Sequence, residues 1–186
     1  MTRFAPLAML LFTACATEQS AEPVTAAEAA VTSQAVQDTI VTMSATSSAD
    51  LGVAAASYRG LDCAVVETDN LTFLMVTYNC TGPFATHGTL RLELTAPQTV
   101  QSTVDLTIGN VKIDGSATLE IPIDQTKPRT FDAQLTVAGP RRELDTEAHA
   151  TFTVSGPCAT INAQGSTSVG AAARTWTITN ATACRR

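Results

Sequence analysis

One strand-length stretch concentrates the groups able to do chemistry. Glu143, Asp145, Glu147 and His149 lie two residues apart, and in an extended chain that spacing puts all four on one face. Carboxylates beside an imidazole can hold a hard divalent cation or move a proton. A turn at Gly139-Pro140 would fold the preceding segment back so that Asp132 faces Glu147 and Gln134 faces Asp145. Like charges directly opposed across strands cost about 0.2–1 kcal/mol, and a calcium ion held by Asp132, Glu143, Asp145 and Glu147 would relieve that. The competing reading is a solvated acidic face that keeps an exposed sheet soluble and blocks edge-to-edge association. We adopt the second, because a sheet surface lacks the loop carbonyls that usually complete a calcium site, and expect no cofactor.

Other catalytic groupings are sparse. The two histidines are His87 and His149. His87, in Thr86-His87-Gly88, reads as a solvated turn residue. A hydrolase would use one of these imidazoles with a serine, yet nothing in the spacing singles out a serine. The chain has no G-x-S-x-G elbow, C-x-x-C pair, H-E-x-x-H helix, Walker loop or G-x-G-x-x-G turn. The expected role is therefore non-enzymatic: structural, or partner-binding.

The elements that would carry these residues follow from the hydropathy pattern. After Leu61 apolar and polar residues alternate with period two, the mark of half-covered strands. Leu71, Phe73 and Met75 alternate with Thr72, Leu74 and Val76, so both faces are apolar there and the strand reads as central. Further strands run through Leu90–Leu94, Val104–Ile108, Ala117–Ile121, Phe131–Val137, Leu144–Val154 and Trp176–Ile178. Turn signals stand between them at Asp69-Asn70, Gly82-Pro83, Ala96-Pro97, Asp114-Gly115, Gly139-Pro140 and Gly156-Pro157. The sum is an all-β domain over residues 61–186, an antiparallel meander of about ten strands. Its apolar face must be covered, by a second layer in a sandwich, by rolling toward a half-barrel, or by a helix laid across it. A membrane-spanning barrel would want aromatic girdles, and the chain has only one Trp, two Tyr and six Phe.

Ahead of the strands, Thr25 to about Met43 carries alanines with Val31, Ile40 and Met43 near helical spacing, which predicts a helix. Ser44 to Ser57 is small and Gly-interrupted and reads as a loop with one helical turn. Residues 16–30 have the composition of a tether, within a segment 15–60 that precedes the β domain.

The net charge of −6 gives no pull on phosphate backbones, so nucleic acid is not an expected partner. No apolar run approaches the roughly 20 residues a helix needs to cross a bilayer. The N-terminus supplies another route to a membrane. Arg3 precedes a short apolar run from Phe4 to Phe12, and Thr13-Ala14 stand directly before Cys15. This has the build of a secretory signal, and its end resembles a bacterial lipobox, with Phe12 where Leu is commoner. The resemblance implies removal of residues 1–14, acylation of Cys15, and a mature protein held on a membrane by lipid. Ala16 and Thr17 after the cysteine, with no Asp, resemble the pattern of lipoproteins sent to the outer membrane. The implied partners are that membrane and other envelope proteins.

Four cysteines remain: Cys63, Cys80, Cys158 and Cys184. An even number in an exported chain implies two disulfides, and their wide spacing argues against zinc. A register setting Cys63 opposite Cys80 sets Val65 opposite Tyr78 and turns near Leu71. One setting Cys158 opposite Cys184 turns at Gly170-Ala171-Ala172, but sets Trp176 opposite Ser166 and Ile178 opposite Gln164, out of phase with Ile161 and Ala163. A bulge would repair the phase. Local pairing is the preferred connectivity of the three available.

Cys63-Ala64-Val65-Val66, Tyr78-Asn79-Cys80-Thr81-Gly82 and Ala183-Cys184 together resemble a frame found in secreted bacterial lipoproteins with a strand-rich domain. That family carries no assigned activity, so the resemblance supports the fold and adds nothing on function. A second functional reading is a lipid-binding module, with a curved sheet presenting Leu92, Leu106, Leu119, Phe131 and Phe152 to an apolar ligand.

Overall fold

The computed structural model describes residues 22–46, 50–61, 63–69, 72–82, 85–139 and 141–184. Cys15, the expected leader before it and residues 16–21 of the expected tether lie outside the described residues, as do Asn70, Leu71, Pro83 and Pro140 of the expected turns. Residues 26–30 of that tether are corrected to helix, as the start of the first helix, because they pack with it under a capped N-terminus.

Among the described residues two helices lead into nine strands. These are α1 (Ala26–Met43), α2 (Leu51–Arg59), β1 (Ala64–Thr68), β2 (Phe73–Asn79), β3 (Thr86–Ala96), β4 (Thr99–Ile108), β5 (Val111–Glu120), β6 (Arg129–Ala138), β7 (Glu143–Ser155), β8 (Cys158–Val169) and β9 (Ala172–Cys184). The strands form one sheet in chain order, each antiparallel to the next. The expected antiparallel meander is present, close to the expected strand number. The sandwich is corrected: all nine strands share one open sheet, and helices supply the second layer.

α1 begins where the sequence places it. The Thr25 side chain accepts from the Glu28 amide, and the Glu28 carboxylate accepts from the Thr25 amide at 2.8 Å, a reciprocal cap that satisfies two end donors. α2 was read as a loop with one helical turn and is instead nine residues long. The Asp50 carboxylate accepts from the Gly52 and Val53 amides. Ala54, Ala55 and Tyr58 form its buried face.

The inner sheet face is apolar and enclosed. Leu74, Leu90, Leu92, Leu106, Ile113, Leu119 and Phe131 are fully buried together with Ile40, Met43, Leu51 and Tyr58 of the helices. Nine strands at about 4.8 Å spacing would make a flat layer nearly 40 Å across, and two helices each about 10 Å wide cannot cover that. The sheet must therefore curl around them, as a half-barrel does. Glycines sit where the curl demands them. Gly88 (φ 110°) and Gly115 (φ 142°) lie inside strands, and a Cβ would stand 2.1 Å from the Asp105 carbonyl oxygen or 2.2 Å from that of Gln134. Only a residue without a side chain fits such an approach.

Both edge strands are secured twice. β1 packs against α2 and β9 against α1. Cys63–Cys80 ties β1 to the end of β2, and Cys158–Cys184 ties β9 to β8. The preferred local connectivity is present. At β8–β9 Cys158 opposes Cys184, and the register shifts between Ile161 and Ala163, so the expected bulge occurs. There Asn162 takes the Asn180 amide on its side-chain oxygen at 2.9 Å, and Asn180 has φ 50°.

One register and one strand position are corrected. Ala64, not Val65, opposes Tyr78. The one-residue change turns Val65 outward, where it is 64 % exposed. β2 is also second from the edge rather than central. Its outer apolar residues are only half covered, and the Arg91 guanidinium lies 4.6 Å over the Phe73 ring.

Candidate functional site

The outer face of β5 to β9 forms a shallow trough of about 720 Å³. Strand alternation that buries Ala117, Ala133, Ala148 and Ala163 on the inside points their polar neighbours outward. Asp132 and Gln134 come from β6, Glu147 and His149 from β7, Gln164 and Ser166 from β8, Thr175 and Thr177 from β9.

The acidic strand lies here, but not in the register read from Gly139-Pro140. Asp132 opposes His149, and Gln134 opposes Glu147. The connection is longer than a two-residue turn: Ala138 opposes Glu143, and the Gly139 amide donates to the Arg142 carbonyl at 3.0 Å. Two extra loop residues slide the strands by one pair and keep every side chain on its face. The like-charge opposition behind the calcium candidate is absent. Instead His149 Nδ1 lies 2.7 Å from Asp132 Oδ1, with both side chains about half exposed. Asp145 accepts from the Thr136 hydroxyl at 2.9 Å, and Glu143 is an exposed residue at the start of β7. Among the described residues no three His, Cys, Asp or Glu side chains gather as metal ligands, so the candidate calcium residues Asp132, Glu143, Asp145 and Glu147 do not form such a group.

His87 is corrected from turn to strand. It is the second residue of β3, opposite Asn79 and Thr107, and is exposed. It stands apart from the trough. No hydroxyl is hydrogen-bonded to the His149 ring among the described residues, while the Asp132–His149 pair can bind, orient or exchange a proton with a polar ligand. The hydroxyls and amides around it offer donors and acceptors in rows. The trough thus presents mainly polar side chains to solvent. The five positions proposed for an apolar ligand, Leu92, Leu106, Leu119, Phe131 and Phe152, are at most 1 % exposed and packed in the protein core.

Inner polar groups escaped the sequence reading. Arg142 Nε and Nη2 donate to the two Glu28 carboxylate oxygens at 2.9 and 3.0 Å, a forked pair that clamps the start of α1 to the β6–β7 turn. This bond, with the Thr25 amide, holds the Glu28 pKa at about 2, well below its ordinary value. At the other end of α1, buried Arg129 donates to the Thr46 carbonyl at 2.9 Å, and Thr46 shares a 2.9 Å hydrogen bond with Tyr58. Burial lowers the Arg129 pKa. The Trp176 indole donates to Thr167 Oγ1 at 3.1 Å, and that hydroxyl also contacts Thr32 of α1. Thr25-x-x-Glu28 was the one local signal for any of these; the others join residues far apart in sequence.

Comparison of the chain with protein-family models, curated proteins and solved structures gives no match.

Proposed function

We propose that the protein is a lipid-anchored component of a bacterial envelope, with a structural or partner-binding role and no catalytic chemistry. Its curled, disulfide-tied sheet is the working part, and Cys15 is its anchor. One observation carries this reading. Cys63, Cys80, Cys158 and Cys184 pair off as two bridges, which suits an oxidising compartment, and leave Cys15 as the one cysteine outside them, in the lipobox-like sequence. The absence of Asp after Cys15 favours the outer membrane. The trough fits a non-enzymatic role: its histidine is held by the Asp132 carboxylate, and among the described residues no hydroxyl is hydrogen-bonded to that ring.

Fractionation of bacteria expressing the full chain tests the proposal. Wild-type protein should sediment with outer membranes and take up radiolabelled palmitate. Cys15→Ser should do neither. Unlabelled wild-type protein in the soluble fraction would overturn the reading.

A further inference from the structure

We infer that the domain stands on its membrane end-on, with the β2–β3, β4–β5, β6–β7 and β8–β9 connections toward the lipid headgroups. The inference rests on the Cys15 anchor proposed above.

Sequential antiparallel order places alternate turns at one end of the sheet. Gly109-Asn110, Gly139 with Arg142, and Gly170-Ala171 therefore share an end, and the turns near Gln98, Asp124 and Gly156 share the other. The chain enters at the first end. Arg142 donates to the Glu22 and Pro23 carbonyls at 3.0 and 3.2 Å and to Glu28. Arg174, just past the β8–β9 turn, reaches the Val24 carbonyl at 3.5 Å.

Length then decides the orientation. From Cys15 to Glu22 the chain advances seven residues, which span at most about 25 Å. β7 has 13 residues and is about 43 Å long. An inverted domain would raise the entry point beyond the reach of its tether. Charge disfavours lying on the sheet face. Asp105, Glu120, Asp132, Asp145 and Glu147 project from that face, and anionic headgroups repel them. Exposed Arg59, Arg141 and Arg174 sit at the entry end, where anionic lipid attracts them. End-on placement leaves the polar trough open to solvent above the anchor.

Energy transfer tests this on the full acylated chain in vesicles of phosphatidylethanolamine and phosphatidylglycerol carrying a headgroup-labelled acceptor lipid. The native cysteines are bridged or acylated, so Asn110→Cys, Ser116→Cys or Lys127→Cys each supplies one reactive thiol for a donor dye. Transfer should be severalfold stronger from position 110 than from 127, with 116 between them. Acylated, vesicle-bound protein with strongest transfer from 116 or 127, or with equal transfer from all three, overturns the orientation alone. Protein that lacks acyl mass and stays off the vesicles overturns the anchor, and the orientation with it.

Discussion

Replacing Cys158 and Cys184 together by Ala should cost about 3.5 kcal/mol. The bridge closes a loop with a sequence separation of 26, and the chain-entropy relation gives close to 12 cal/mol/K for that length, hence about 3.5 kcal/mol at 25 °C. Cys63–Cys80 spans 17 residues, and the same relation gives about 3.1 kcal/mol. Either figure is a large share of the 5–15 kcal/mol typical of a folded domain. Urea unfolding followed by circular dichroism reads the loss. With a slope near 2 kcal/mol/M, the midpoint of the Cys158→Ala/Cys184→Ala protein should fall by about 1.7 M. Each bridge also holds an edge strand, so the loss should show a place as well as a size. Amide exchange should quicken first along the Cys184 end of β9 in one double variant and along β1 in the other, with β5 and β6 protected in both. Two double variants within about 1 kcal/mol of wild type would refute the reasoning, since the bridges would then not restrict the unfolded chain.

Three further outcomes follow from named contacts. Phe131→Ala empties a fully buried site and should cost about 3–5 kcal/mol in the same assay. Gly115→Ala sets a methyl 2.2 Å from the Gln134 carbonyl oxygen at a φ of 142°, and should lower the melting temperature more than Gly109→Ala, where a Cβ meets nothing within 4 Å. Glu28 is held at about 2 against an ordinary 4.5, so its contribution is present above pH 4.5 and is lost as pH falls toward 2. Glu28→Gln should thus be less stable than wild type at pH 7, and the gap should close on acidification; a gap independent of pH would remove Glu28 as its source.

The sequence was most informative where a rule is local. Alternation around Leu90, Leu106, Phe131 and Phe152 placed their strands and their inner face, because a period of two survives any register. The alanines after Thr25, with Val31, Ile40 and Met43 near helical spacing, placed α1. The bulge opposite Asn162 was legible because Trp176 and Ile178 could not share a face with Ile161 and Ala163 without one. Failures came where geometry is not local. α2 hid behind Gly52 and small residues, whose helical state depends on the core they pack into. Asp132 met His149 rather than Glu147 because Arg141 and Arg142 lengthen a turn that Gly139-Pro140 alone would have made tight. The trough carried no motif, since its residues come from five strands and converge only when the sheet curls.

The intact mass of the mature protein, extracted in detergent and weighed before and after reduction, tests anchor and bridges in one measurement. The expected species starts at Cys15, carries added acyl mass, and gains the mass of four hydrogens when Cys63–Cys80 and Cys158–Cys184 are reduced. An unacylated chain that retains residues 1–14, with no mass gained on reduction, would contradict both the export and the anchoring of this protein.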